Sequence, residues 1–240
     1  MVIPFLSLYL TQDLGFTLEN VGIIMSCFGL GSLIGAWLGG KLTDLFGPYR
    51  VMLVSLMLTG ILFIILQYLV SFWSLCGGIF ILMIIADAFR PATFVALNSY
   101  SKPENKTRSV TLIRLAINLG FSAGPAIGGL IIATLGYSGL FWVDGLSCLA
   151  AGILLLLLLN PKKAKVQESI PNEMPLSAYN DLPYWIFIVS MVLFGFVFVQ
   201  YFSTIPLYYS DVRGLNETQI GLLLAMNGFL IVVFEMPLIK

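Results

Sequence analysis

Residues 109–134 read SVTLIRLAINLGFSAGPAIGGLIIAT, 26 positions with a single charged side chain, Arg114. A helix of about 20 apolar residues spans the hydrocarbon core of a bilayer, and this run exceeds that length. It is continuously apolar and lacks the in–out alternation of a barrel strand. Gly120, Gly124 and Gly128 recur every fourth residue and so share one helix face, a smooth groove for a neighbouring helix. Pro125 removes one backbone hydrogen bond and permits a kink. Ordinary glycine packing explains the same residues, and the two readings stand side by side.

Working outward, similar runs occupy residues 20–40, 51–70, 72–97, 139–160, 184–208 and 217–239, with an incomplete one at 1–10. Counting the incomplete run as span 1, residues 109–134 are span 5 and the series ends with span 8. The expected fold is an all-α integral membrane bundle of seven full spans and one partial span. Composition agrees: 59% of the 240 residues are hydrophobic and 10% charged, against about 25% charged in soluble domains. Mean hydropathy is +0.97. Twelve basic residues balance twelve acidic ones, leaving no cationic surplus for nucleic acid. The chain has no histidine, which excludes His-based catalysis and zinc sites of the HExxH kind. Cys27, Cys76 and Cys148 lie in apolar runs and read as small buried hydrophobes. No metal, cofactor or enzymatic nucleophile–base pair is expected, and Met1 opens no positively charged secretory leader.

Lys and Arg concentrate in alternate connections: Lys41 and Arg50 after span 2, Lys102, Lys106 and Arg108 after span 4, Lys162, Lys163 and Lys165 after span 6, and Lys240 after span 8. Arg213 is the exception among the other connections. The even spans are therefore expected to end in the cytoplasm of a plasma (inner) membrane protein. Residues 161–182, PKKAKVQESIPNEMPLSAYNDL, form the longest polar segment and read as a linker between residues 1–160 and 183–240. A shift of 199 residues lays the chain over itself without a gap, matching Leu8 with Leu207, Tyr9 with Tyr208, Gly15 with Gly214, Gly22 with Gly221, Gly29 with Gly228 and Lys41 with Lys240. Such a match is the trace of a parallel duplication. The same offset expects span 1 to begin about 15 residues before Met1, and roughly four further spans to follow span 8.

Residues 39–50, GGKLTDLFGPYR, join spans 2 and 3. Together with span 5 they carry a family resemblance. The loop resembles the G-x-L-x-D-R-x-G-R-R/K signature of the major facilitator superfamily at Gly40, Leu42, Asp44, Gly47 and Arg50, while Leu45, Pro48 and Tyr49 stand where that signature has basic residues. Span 5 is similar, at every fixed position, to the family's antiporter signature G-x-x-x-G-P-x-x-G-G, through Gly120, Gly124, Pro125, Gly128 and Gly129. The preceding RLAINLG, with Arg114 and Asn118, resembles a bacterial drug-efflux-like branch. The resemblance implies twelve spans in two six-helix halves, of which residues 1–160 would be the first half and 183–240 the first two spans of the second. It further implies alternating access, a cytoplasmic latch at Asp44 and Arg50 weakened by the missing bases, and a span 5 interface shaped by the glycines. An arginine of the family's span 4 signature is linked to proton transfer. Arg90 is the candidate match, although Pro91 follows it and the signature's glycines are absent.

A charge at the bilayer centre costs about 2.5–3.5 kcal/mol on insertion scales, so an ionisable residue within a span is a functional candidate. Asp87 and Arg90, three apart on span 4, share a face and are placed to pair. Arg90 lies about 27 Å along the helix from the outer end, where snorkelling alone also accounts for it. Arg114 and Asn118 lie one turn apart and continue to Ser122, a polar stripe facing a partner helix or the cavity. Asp144 lies about 8 Å into span 6. It reads either as a proton-exchanging carboxylate or as an acid near a helix N-terminus. Glu235 reads as an interfacial contact near the end of span 8. Tyr9, Phe121, Trp142, Tyr201 and Tyr208 are aromatic candidates for a cavity taking an apolar or cationic substrate; belt anchoring is the competing explanation.

The expected function is proton-coupled antiport of a small molecule, with the bilayer, protons and the substrate as partners. Asp87, Arg90, Arg114 and Asp144 are the coupling candidates. Import of a nutrient by the same fold is the first alternative, and a transport-inactive fragment is the second.

Overall fold

The computed structural model describes residues 1–102, 105–159, 161 and 182–238, with the backbone alone described at 231–232 and 235–238. Most of the expected linker, the side chain of Glu235 and residues 239–240 lie outside the described residues.

The described residues are almost entirely helical and include no strand. Helix α1 (Val2–Leu8) runs into a π-helical turn, Tyr9–Asp13. Then follow α2 (Leu18–Phe46), α3 (Pro48–Leu66), α4 (Phe72–Asp87), α5 (Phe89–Tyr100), α6 (Lys106–Leu158), α7 (Leu182–Asp211) and α8 (Glu217–Leu238). The starts are those their sequences favour. Thr17 Oγ1 accepts from the Asn20 amide, and Ser71 Oγ accepts from the Ser74 amide, each at 3.4 Å, which satisfies free N–H groups of α2 and α4. Pro48 opens α3, where its missing N–H costs nothing.

Two boundaries differ from the apolar runs. Span 4 is divided at Ala88 into α4 and α5, although Ala88 keeps helical angles, φ −62° and ψ −22°. Pro91 lies three residues beyond and cannot donate to the carbonyl of Asp87. Spans 5 and 6 form one 53-residue element whose backbone leaves helical angles at Gly136, φ 70° and ψ −177°. A straight helix of that length would be about 80 Å long, more than twice the hydrocarbon thickness. The reversal is therefore at Gly136. Pro125, expected to permit a kink, sits inside the first limb without non-helical angles.

The turns before α2 and α8 repeat one another at the 199-residue offset. The Phe16 amide donates to the Leu10 carbonyl at 2.9 Å, and the Leu215 amide to the Tyr209 carbonyl at 3.0 Å. Gly15 and Gly214 take φ of 69° and 64°. Thr17 caps α2 through the Asn20 amide, and Asn216 Oδ1 accepts from the Gln219 amide at 2.9 Å.

Short α1 lies in the core: Phe5, Leu8 and Leu10 of this region are fully buried, with Ile24, Leu75, Ile79, Phe141 and Ile220 around them. Helices α2 and α4 touch backbone to backbone. A Cβ on Gly31, Gly35 or Gly39 would come within 2.6, 2.5 and 2.5 Å of the main chain at Phe80, Ile84 and Ala88. Much of the described surface is apolar, and Leu193, Phe194, Phe196 and Val197 of α7 are more than 60% exposed.

Candidate functional site

Helix α8 lies against the first limb of α6. A Cβ on Gly129 would stand 2.5 Å from the Glu217 carbonyl oxygen, and one on Gly228 would stand 2.7 Å from Ser122 Cα. Gly221 meets the Pro125 carbonyl. Ser122 Oγ donates to the Ala225 carbonyl at 2.9 Å, and Thr218 Oγ1 to the Gly129 carbonyl at 3.3 Å. The stripe that receives α8 is thus Ser122, Pro125 and Gly129. The sequence reading put Gly120, Gly124 and Gly128 on one face as a groove for an unspecified neighbouring helix and named Pro125 and Gly129 with them at the span 5 interface; the last two are the ones that meet α8. Open space lies beside Gly120, the nearest atom to a Cβ on Gly124 is Met1 Cγ at 3.9 Å, and Gly128 faces the Phe5 ring at 3.0 Å. Small residues mark both stripes. The hydroxyl of Ser122 and the carbonyls of α8 select between them, and that selection depends on a helix some 90 residues away.

Beside this contact, α6, α7 and α8 line an open-sided cavity of about 520 Å³. Asn118, Phe121, Tyr201, Gln200, Thr204 and Asn227 supply its polar groups and part of its aromatic wall. Ring centroids of Phe121 and Phe202 are 5.5 Å apart, and those of Tyr201 and Phe202 are 5.0 Å apart. Tyr201 donates its hydroxyl to the Leu224 carbonyl at 3.5 Å. No lining side chain is ionised at neutral pH. An apolar wall with a few convergent amides and hydroxyls is the usual make-up of a small-molecule site. Of the aromatic candidates, Phe121 and Tyr201 line this space. Tyr9 instead is a core residue, 5% exposed, with its ring 5.1 Å from Phe141 and 5.5 Å from Tyr137. Trp142 is outside the lining and exposed. The sequence reading missed Gln200 and Asn227. Their signal was an amide within an otherwise apolar span.

The charged candidates divide. Arg90 Nε lies 3.0 Å from Asp87 Oδ1, and Ser32 of α2 donates its hydroxyl to Asp87 Oδ2. The Asp87 side chain is 8% exposed and that of Arg90 74%, so one ion pair holds a buried acid and an outward-reaching base. Asp144 is buried at another place, against the first residues of α1, where its Oδ2 accepts from the Val2 amide at 2.7 Å. Arg114 is exposed, and Asn118, one turn on, enters the cavity wall.

In the loop between α2 and α3, Gly47 takes φ 81° and reverses the chain directly into Pro48. Gly40 has open space beside it. Asp44 and Arg50 are exposed, and among the described residues neither enters an ion pair. Arg50 sits in the first turn of α3 beside a groove, and the positions that would supply further bases hold Leu45, Pro48 and Tyr49.

At the opposite end, polar contacts join the first six spans to α7 and α8. Gln12 Nε2 donates to Ser210 Oγ at 2.5 Å, and the Tyr137 hydroxyl lies 3.5 Å from Glu217 Oε1. Burial, then the neighbouring Glu217 carboxylate, raises the Tyr137 hydroxyl above the usual phenol range. It stays protonated and donates.

The chain is similar to transporters along its whole length. It is 24% identical over 246 residues to the uncharacterized MFS-type transporter YqjV of Bacillus subtilis (strain 168), covering 100% of this chain and 60% of that protein. It is 26% identical over 168 residues to the quinolone resistance protein NorA of Staphylococcus aureus, covering 68% of this chain and 42% of NorA. It is 27% identical over 161 residues to the 4-hydroxybenzoate transporter PcaK of Pseudomonas aeruginosa, covering 67% and 36%. The chain thus spans between about a third and three fifths of the length of these curated relatives. The sequence profile of the Major Facilitator Superfamily matches residues 1–240. With an all-helical fold and several helices long and apolar enough to cross a membrane, this chain belongs to the Major Facilitator Superfamily.

Proposed function

We infer that the chain belongs to a secondary transporter exporting a small apolar or aromatic molecule in exchange for protons. The observation that carries this reading is the cavity between α6, α7 and α8, with aromatic walls and four uncharged polar side chains. Similarity to a quinolone resistance protein supports export, as does the span 5 signature. Residues 1–160 act as one half, 161–182 as a cytoplasmic linker and 183–240 as the start of the second half. The repeated turns before α2 and α8 favour that division. Alternating access then opens and closes the two ends around the cavity. The Gln12–Ser210 and Tyr137–Glu217 contacts close the outer end, and the connections after spans 2, 4, 6 and 8 face the cytoplasm. Asp87 is the foremost coupling candidate, because its carboxylate is buried within the helix bundle and ties α2 to α4 and α5 through Ser32 and Arg90. Arg90, Asp144 and Arg114 are the further coupling candidates.

The test is uptake of a fluorescent aromatic cation into inverted membrane vesicles acidified inside, with Tyr201→Ala as control. Gradient-dependent accumulation lost in the control is expected. Accumulation that ignores the gradient would remove the antiport reading.

Import is the second reading, favoured by the similarity to a 4-hydroxybenzoate transporter. Dissipating the gradient in whole cells separates the two: an exporter's substrate then accumulates inside, and an importer's does not.

A further inference from the structure

A second cavity, of about 410 Å³, opens between α2 and α3 over the end of α4. Its walls are Leu42 and Phe46 from α2, Val54 and Leu58 from α3, and Ile84 from α4, with Arg50 at one end. The large side chains on both walls are exposed, so the groove is open sideways. Arg50 is the one charged residue that lines it, and among the described residues it has no acidic partner within ion-pair distance. Asp44, in the adjoining turn, is not paired with it. Lys41, one residue before the wall, places its ammonium 3.9 Å over the Trp37 ring, a second cation at the same end of α2.

We propose that this groove binds a membrane phospholipid with an anionic headgroup, one acyl chain lying along α3 and the phosphate meeting Arg50. Depth and charge both argue for it. From Arg50 to Leu58 the groove runs about 12 Å along the helix, close to the roughly 15 Å that one leaflet contributes to the hydrocarbon core. A guanidinium at the shallow end is where a phosphate would lie, and it meets phosphate through paired donors. A zwitterionic headgroup would bring its own ammonium towards Arg50 and Lys41; an acidic one would not.

The test starts from the full chain in nanodiscs made of equal parts phosphatidylethanolamine and phosphatidylglycerol. The chain is extracted into mild detergent, and retained lipid is counted by native mass spectrometry. One phosphatidylglycerol retained in preference to phosphatidylethanolamine is expected. Arg50→Gln should cut that preference about fivefold, the effect of one basic residue at a membrane surface. Arg50→Lys should keep most of it. Val54→Trp, at an exposed wall position, should fill the groove and lower retention of both lipids. Far-UV circular dichroism establishes that the variants fold, and the Lys variant keeps the comparison sound if the Gln variant does not. Equal retention of the two lipids overturns the proposal, as does an unchanged preference in Arg50→Gln. Displacement of the lipid by soluble glycerophosphate would point to a free-phosphate site and also overturn it. So would a Val54→Trp effect confined to the monomer–dimer distribution, which would assign the groove to a second copy.

Discussion

Replacing Gly129 by alanine is expected to force α6 and α8 apart. The added Cβ would lie 2.5 Å from the Glu217 carbonyl oxygen, 3.0 Å from Thr218 Cα and 3.1 Å from the Glu217 carbonyl carbon. All three are main-chain atoms, so no side chain can rotate away. Restoring an ordinary 3.4 Å contact requires the helices to separate by about 1 Å, which also stretches the Thr218–Gly129 hydrogen bond beyond its present 3.3 Å. Inserting a methyl group into a closed contact costs about 1–3 kcal/mol. Alanine recovers up to about 1 kcal/mol of helix propensity, leaving a net loss of up to about 2 kcal/mol. For a chain of this length that lowers the unfolding midpoint by up to about 8 °C. Gly120→Ala is the internal control, because nothing lies within 4 Å of its added Cβ; it should be neutral or stabilising by up to about 1 kcal/mol. The assay is thermal unfolding of both variants in one detergent. A Gly129→Ala midpoint no lower than that of Gly120→Ala would refute the assignment of the α8 contact to the Ser122–Pro125–Gly129 stripe.

Asp87→Asn should flatten the pH dependence of transport while changing stability by less than about 1 kcal/mol, since its partner Arg90 is largely in solvent; flux against pH in proteoliposomes and a melting curve read the two effects separately. Asp144→Asn should weaken the response of flux to the proton gradient, read in proteoliposomes; an unchanged proton-driven flux would remove Asp144 from the coupling candidates. Gln12→Ala combined with Tyr137→Phe removes two contacts at one end of the bundle, so a cysteine at Tyr9 should react faster with a membrane-impermeant maleimide. Tyr201→Phe should retain substrate binding and Tyr201→Ala should weaken it, measured by quenching of a bound aromatic dye, because the ring lines the cavity and its hydroxyl is already engaged with Leu224.

The membrane spans were legible because burying a polar backbone in lipid leaves few solutions, and a run of some twenty apolar residues is one of them. The turn before α2 was legible through its twin: Gly15 and Gly214 match by a shift of the sequence, and both adopt positive φ. Asp87 and Arg90 were placed together by spacing alone, and they form an ion pair. What failed to show was the identity of non-local neighbours. Two small-residue stripes run along span 5, and only the position of α8 distinguishes them. Tyr9 reads equally as a cavity aromatic or a core aromatic until Phe141 and Tyr137 are placed beside it. Gly31, Gly35 and Gly39 carried as regular a four-residue spacing as Gly120, Gly124 and Gly128, yet they make the closer helix contact. Their importance depends on the main chain of α4, which no local pattern encodes.

The reversal at Gly136 bears on how the chain enters the bilayer. From Leu115 to Val143 the sequence contains no Asp, Glu, Lys or Arg, and the two limbs of α6 meet at a single non-helical residue. An insertion machinery therefore finds no hydrophilic loop to carry across between them. Insertion of the two limbs together as one hairpin is the expected route. A tag or protease site placed at this bend would burden biogenesis before it touched transport, whereas the same insertion in the polar stretch between residues 161 and 182 would not.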